Sequence, residues 1–363
     1  MFRRLKRLTI QLMAGANIAT VVIMALVGMS DRLSPADHPL LSVVGLTFPF
    51  FIICNLAFLL FWLIFHKRGT LIPFIGFILC YPSVRIYSPL NITGSVPGGA
   101  LKVMSYNVAN YGVPDIMPDS LNPVFRYIHD SGADMVCIQE GTMSEPLVAY
   151  TGDVYPYRDS VMKAPSGTSL VLLSKHPILG KEHIEYPSAA NASAAFKVLV
   201  DGDTVIVINN HFESTGLSLE ERAEFRNMVK GNAGNDTIKE ESKRLITKLG
   251  DANRRRAPQA EAVAGYIRRH KGKSIILCGD FNDNPISYTR RILAGELTDC
   301  YVATANGPGI SYNHNAIFVR IDNIMCSGHW LPHNFKVDRS IDASDHYPIY
   351  GWLEKAAKQA KKQ

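Results

Sequence analysis

The chain divides by hydropathy before any single residue draws notice. Residues 8–29 (LTIQLMAGANIATVVIMALVGM) and 40–65 (LLSVVGLTFPFFIICNLAFLLFWLIF) contain no charge, and each meets the roughly 20 apolar residues that a helix needs to cross a bilayer core. A third apolar stretch, LIPFIGFILCYPSV at 71–84, spans only if it continues through Arg85 to about Leu90, with the arginine reaching for the interface. Beyond residue 91 the runs shorten. KVMSYNV (102–108), ADMVCIQE (133–140), GTSLVLLSKHPI (167–178), FVRIDNIMCS (318–327) and the segment entered through SDHYPIYGWL (344–353) predict strands. FKVLVDGDTVIVINNHF (196–212) predicts a hairpin turning at Asp-Gly. Helical patterning places Val124, Phe125 and Ile128 on one side of 122–132. It also predicts a charged helical region over 217–250, broken by Gly/Asn at 231–235, and a helix over RRRAPQAEAVAGYIRRHKG that leads into the strand IILCGD.

This organisation predicts a membrane anchor at 1–90 with two or three crossings, a Gly/Ser/Pro joint at 91–100, a folded domain at 101–353 and a basic tail at 354–363. Residues 1–30 read as a spanning helix, because the apolar run is long for a cleaved signal peptide and has no clear small-x-small site. Basic residues flank the first helix (MFRRLKR) and the second connection (HKRG), whereas SDRLSPADHP between the first two helices holds one basic and two acidic residues. The positive-inside rule puts the first two in the cytoplasm. Three crossings then carry the domain to the extracytoplasmic (periplasmic) side, and two leave it inside.

The net charge of +6 belongs to the anchor. Of 38 Lys+Arg and 32 Asp+Glu, residues 1–90 hold eight and two, so residues 91–363 hold thirty of each. A nucleic-acid footprint would have to come from local patches. Arg254-Arg255-Arg256 and Arg268-Arg269-His270-Lys271 offer phosphate or headgroup grips, or simply solvated helix faces. The six cysteines lack CxxC spacing and support neither a disulfide framework nor a zinc site.

Chemistry gathers where the strands stop. Polar residues close or follow one apolar strand after another: Asn107, Glu140, Asn209 to His211, Asp280 with Asn282, Asp322, then Asp345-His346. One such ending is a turn. Six suggest one sheet edge carrying a site. Glu140, with Asp280 or Asp345 and the amides of Asn107 and Asn282, supplies hard oxygen donors suited to Mg²⁺ or Mn²⁺. His211 and His346 have no HxxxH spacing and read as acid/base or phosphate-binding groups, with Asp322 able to fix a histidine tautomer. Tyr312, in GISYNHN, is a candidate pocket residue.

The ordered segments SYN, IQE, NNHFES, GDFND, RIDNI and SDHYP, with LSKHPI between them, resemble the motifs of the endonuclease/exonuclease/phosphatase (deoxyribonuclease I-like) family, and most of all its membrane-anchored bacterial members. The resemblance covers roughly residues 101–353. It implies an α/β (α+β) four-layer sandwich, two packed mixed β-sheets with helices outside. It also implies roles: Glu140 holding the metal with Asn107 nearby and Asp345 in support, and Asp280 activating water with Asn282. His346 paired with Asp322 would sit on a phosphate oxygen, His211 at the phosphate or the leaving oxygen, and Asn209 and Tyr312 against substrate. The expectation is a membrane-anchored, Mg²⁺-dependent phosphoester hydrolase acting on a small diester, lipid headgroup or nucleic acid. An extracytoplasmic nuclease and a catalytically silent membrane scaffold are the alternatives. The bilayer is the one partner, besides substrate, that the sequence implies.

Overall fold

The computed structural model describes residues 2–112, 122–162, 169–188, 190–230, 235–314 and 316–356. The break expected at 231–235 falls almost wholly, and the basic tail mostly, outside them. Period-2 patterning becomes two six-stranded mixed sheets. The first has the order β13-β14-β1-β2-β4-β3, with β1 (Leu101–Asn107), β2 (Met135–Gly141), β3 (Tyr157–Met162), β4 (Ser169–Ser174), β13 (Trp330–Val337) and β14 (Ile349–Lys355). The second has the order β5-β6-β7-β8-β12-β9, with β5 (Ile178–His183), β6 (Ala192–Val200), β7 (Asp203–His211), β8 (Ser274–Asp280), β9 (Thr298–Asp299) and β12 (Asp322–Cys326). A small hairpin of β10 (Tyr312–His314) and β11 (Ile317–Val319) stands apart. The expected Asp-Gly turn joins β6 to β7, with Asp201 and Gly202 both at positive φ (49° and 80°), as a two-residue hairpin loop requires.

The inner faces of both sheets share one core, including Val103, Cys137, Leu172, Phe196, Val207, Cys278 and Ile349. Against the outside of the first sheet lie α5 (Pro123–Asp130) and α6 (Glu145–Thr151), through Val124, Phe125, Ile128 and Leu147. Against the outside of the second lie α8 (Asn235–Arg269) and α9 (Tyr288–Ala294), through Val263, Ile267 and Leu293. These are the expected four layers. Each fully buried large apolar side chain contributes about 1.5–3 kcal/mol of transfer free energy. The helical region differs in detail. After α7 (Leu219–Val229), α8 runs unbroken for 35 residues through Pro258, joining what sequence patterning reads as two pieces. The strand expected over 318–327 is split into β11 and β12, because Arg320 turns inward. Its guanidinium donates to Pro308 O (2.8 Å) and Ile86 O (2.5 Å) and stacks over Tyr301.

The N-terminal region is helical: α1 (Phe2–Gly28), α2 (Phe48–Phe65), α3 (Leu71–Leu79) and α4 (Tyr81–Tyr87), and α10 (Cys300–Thr304) completes the α-helices among the described residues. Arg3–Arg32 and Leu41–Phe65 are long and apolar enough to cross a membrane; Lys67–Leu79 and Tyr81–Tyr87 form a further candidate bent by 70°. Polar contacts lock the first three helices. Trp62 Nε1 donates to Asn17 Oδ1 (3.0 Å), Asn17 Nδ2 to Asn55 Oδ1 (3.1 Å), and Asn55 Nδ2 to Pro73 O (3.0 Å). At one end of the bundle, Ser83 Oγ donates to Gly28 O (2.8 Å) and the Tyr87 ring meets Phe48.

In the second sheet β7 and β8 run parallel, and Gly279 lies opposite Asn210 at φ 147°. A Cβ there would stand 2.1 Å from Asn210 O. Gly279→Ala should therefore cost about 3 kcal/mol or more, combining backbone strain with a contact that main chain cannot relieve. Denaturant unfolding of the two proteins side by side checks this, and equal midpoints would refute it.

Candidate active site

Two parallel strand pairs end together. β1 pairs with β2 so that Asn107 faces Gln139, and β7 pairs with β8 so that His211 faces Asp280. β12 adds Asp322 opposite Asp280 in antiparallel register. Glu140 is aimed by a bulge: the β2–β4 register shifts between Ile138 and Gly141, and Glu140 takes φ 52°. An extra residue in a strand re-aims its neighbours in this way. Asn282, two residues past β8, also takes φ 52°. Non-glycine residues held in this region occur where surrounding structure over-determines them, often at functional sites.

Asn107 ties the two sheets. Its Nδ2 donates to Glu140 Oε1 (3.2 Å) and to Asp280 Oδ2 (3.0 Å). Asp280 also accepts Asn282 N (2.7 Å) and Asn282 Nδ2 (3.2 Å). His211 Nε2 lies 3.3 Å from Glu140 Oε1 and 3.7 Å from Asp280 Oδ2. His346 Nδ1 meets Asp322 Oδ2 at 2.9 Å and turns Nε2 toward Asp280 Oδ2, 3.7 Å away. Ser344 Oγ fixes this turn by donating to Asn107 O (2.8 Å) and accepting His346 N. The structure thus gathers Asn107, Glu140, His211, Asp280, Asn282, Asp322 and His346.

Electrostatics follow from burial. Desolvation pushes the Asp280 carboxyl up to about 7, reinforced by Asp322 and opposed by His346 and the hydrogen bonds from Asn282 and Asn107. Burial works against the His346 imidazolium, but Asp322 and Asp280 outweigh it and raise the ring to about 10. At neutral pH the ring is a cation with one N–H held by Asp322 and the other directed into the site. Oxygen atoms of Asp280 and Asp322 and a nitrogen of His346 lie within 4.8 Å of one another. With Glu140 joined to Asp280 through Asn107, the donor set is rich in hard oxygen and fits a divalent cation of the Mg²⁺ or Mn²⁺ type.

One expected residue stands elsewhere. Asn209 does not face substrate. It lies one pleat below His211, where Oδ1 accepts Gln139 Nε2 (2.7 Å) and Nδ2 donates to Ile138 O and Val171 O (3.1 Å each), clamping sheet to sheet. Asp345, whose charge helps to hold the proton on His346, keeps its carboxylate 4.0 Å from Arg222 Nη1. Tyr312 sets its ring edge-on to His346 and its hydroxyl 3.2 Å from Arg222 Nη1. Sequence reading does not single out Arg222, because nothing in a charged helix separates it from its neighbours. Of the Arg254–Arg256 cluster, Arg254 and Arg255 are half-exposed, but Arg256 is buried against the site, which excludes a solvated-face role for it.

Residues 104–346 match a profile described as the endonuclease/exonuclease/phosphatase family, and residues 10–87 match one described as a domain of unknown function. No curated protein matches the chain. Among solved structures, an endonuclease/exonuclease/phosphatase from Beutenbergia cavernae DSM 12333 is 18% identical with a TM-score of 0.51, covering 70% of this chain and 72% of that one. The catalytic domain of human Nocturnin, solved with a bound sulfate anion, is 14% identical with a TM-score of 0.51, covering 71% and 95%. Both are likenesses of fold.

The His346–Asp322 pair has a sign that can be checked. A folded-state pKa raised to about 10 contributes stability that is fully present below the unfolded value near 6.5 and is lost as pH rises through about 10. In metal-free protein, the stability advantage of wild type over Asp322→Asn should be largest between about pH 5 and 6.5 and should shrink steadily toward pH 10. Denaturant midpoints across that range give the measurement; an advantage that grows with pH would contradict the assignment.

Proposed function

The chain belongs to the endonuclease/exonuclease/phosphatase family, and on that premise we propose that it is a membrane-anchored, Mg²⁺-dependent phosphoester hydrolase whose catalytic domain lies on the extracytoplasmic side. The observation that carries the reading is the convergence of Asp280, His346 with Asp322, Glu140 with Asn107, and His211 at one end of the sandwich. Glu140, with Asn107 beside it, would hold the cation, which when bound neutralises charge on the phosphoryl oxygens. Asp280, held by Asn282 and Asn107, orients a water and takes its proton; a carboxyl shifted to about 7 is suited to that exchange near neutral pH. His346 presents Nε2–H to a non-bridging oxygen, and Asp322 keeps the ring oriented and charged. His211, against Glu140 and Asp280, is placed to donate to the leaving oxygen. Arg222 at the rim adds a cation for an anionic substrate, with Asp345 and Tyr312 fixing its position.

Topology supports a substrate at the bilayer face. Ser83 and Tyr87 lie level with Gly28 and Phe48, so the chain leaving α3 emerges at the same end of the bundle as the loop between α1 and α2. That loop also touches the domain, where Asn253 Nδ2 donates to Ser42 Oγ (2.8 Å). Both contacts support a third crossing. Few side chains then separate the membrane-side loop from the site. The balanced charge of residues 91–363 does not favour duplex nucleic acid, whose nonspecific binding relies on many cation–phosphate contacts. Lipid headgroups or small phosphodiesters reaching the membrane surface fit better.

Hydrolysis of bis-p-nitrophenyl phosphate by the full chain should require Mg²⁺ or Mn²⁺ and stop with chelator. Asp280→Asn and Glu140→Gln should each reduce kcat by about 10²–10⁴-fold, and a wild type no faster than either variant would leave only a scaffold. Binding of any oligonucleotide should be weak and nearly flat with salt; a steep salt slope would favour the nuclease instead. Reporter fusions at residues 69 and 92 should report cytoplasmic and extracytoplasmic positions respectively, and two cytoplasmic signals would remove the third crossing.

A further inference from the structure

A buried polar chain leads from the membrane-side loop to the catalytic turn. The loop between α1 and α2 ends in a 3₁₀ segment, Leu41–Thr47. Its Ser42 Oγ donates to Pro39 O (2.6 Å) and accepts Asn253 Nδ2 (2.8 Å) from the middle of α8. Asn253 Oδ1 in turn accepts Arg256 Nη2. Arg256, only 1% exposed, sends Nη1 to two main-chain oxygens, Asn282 O and Glu213 O. Asp283 lies 3.8 Å from its Nε and balances the charge. Asn282 is the residue at φ 52° whose main-chain and side-chain N–H groups both hold the Asp280 carboxylate.

A second contact presses the same loop on the same turn. Gly45 lies so close to the segment after Asn282 that a Cβ would stand 2.2 Å from Ile286 O and 3.1 Å from Asn284 Oδ1. Gly250 on α8 likewise approaches Pro39 O, at 3.0 Å for a Cβ. No exposed arginine face would need such seating. A guanidinium that is desolvated, donates to two carbonyls and is braced by an asparagine has a fixed geometry, and it passes that geometry to what it holds.

We propose that Arg256 is a positioning residue for the Asn282 turn, and that the loop between α1 and α2 holds Arg256 through Ser42 and Asn253, so that the membrane anchor is part of the catalytic unit. The activity side of this rests on the hydrolase reading above; the structural side does not. Arg256 touches no substrate. It acts by keeping Asn282 in the left-handed conformation from which Asp280 is aimed. Displacement of a catalytic group by about 1 Å costs on the order of 10²-fold in rate, so the effect falls on kcat and spares KM.

The test uses the full chain in nanodiscs, with Arg256→Ala, Arg256→Lys and Gly45→Val, and two readouts. Hydrogen exchange of the peptide 279–286 should quicken about tenfold or more in all three variants while β1 and β2 stay protected, because only the local turn is released. Turnover of bis-p-nitrophenyl phosphate with Mg²⁺ should fall about 10²-fold in kcat for Arg256→Ala, with KM within about twofold, and about tenfold for Gly45→Val. Millimolar guanidinium should restore part of the Arg256→Ala loss and none of the Gly45→Val loss. Unchanged exchange at 279–286 in the Arg256 variants, or exchange that rises equally throughout the domain, would overturn the positioning role. Altered exchange in the Arg256 variants with wild-type exchange in Gly45→Val would overturn the part assigned to the loop. If wild type hydrolyses no phosphoester, the hydrolase reading fails, and the exchange data still decide the structural claim.

Discussion

One hydrogen bond carries much of the architecture: Asn107 Nδ2 to Asp280 Oδ2, from the last residue of β1 to the last residue of β8, across the space between two sheets. For it to form, β1 and β8 must finish at the same end of the sandwich. Each is parallel to a neighbour that also finishes there, β2 for β1 and β7 for β8. Parallel neighbours cannot be joined by a tight turn and need a crossover over the sheet face. The chain therefore places α5 between β1 and β2, and α8, preceded by α7, between β7 and β8, with α5 and α8 on the outer faces. The four layers follow from bringing those four strand ends to one place.

Gathering carboxylates has an electrostatic consequence. Asp280 and Asp322 face each other in the β8–β12 ladder, with Glu140 one hydrogen-bonding residue away. Buried like charges favour uptake of a proton or a cation. His346 supplies one positive charge from the protein itself, which leaves the remaining carboxylate oxygens as a seat for another. Burial raises Asp280 and opposes the His346 cation, and Asp322 with Asp280 holds the proton on His346 against that burial, so the acidic and basic groups are tuned by one another.

The strand-end polar residues were legible because each sits at a local boundary, where an apolar run stops. Seven of them do meet. Sequence is a poor guide where a side chain's direction depends on another element. Asn209 lies in the same NNH run as His211, yet one pleat deeper its amide faces the opposite sheet. Arg320 looks like a strand residue until its partners, Ile86 and Pro308, are known, and these lie 234 and 12 positions away. Arg256 sits in a run of three arginines with the same local chemistry, and only the packing of α8 decides which one is buried. The anchor's apolar runs were plain in the sequence, whereas the bend between α3 and α4 was not, because two short helices and one interrupted helix share a composition.

Asn17, Asn55 and Trp62 give the N-terminal helices a property their apolar surfaces lack. Lipid-facing leucines slide past one another at little cost, but these three side chains and Pro73 O form one linked chain through α1, α2 and α3. A slip of one helical turn, about 5.4 Å, would break its links together and strand polar groups in hydrocarbon, which is costly. The bundle therefore behaves as a stiff pedestal instead of a set of pistons. Under the proposed anchoring, a domain standing on it would be held at one altitude above the lipid, and its cleft would act as a fixed gauge of how far an ester bond must protrude to be reached.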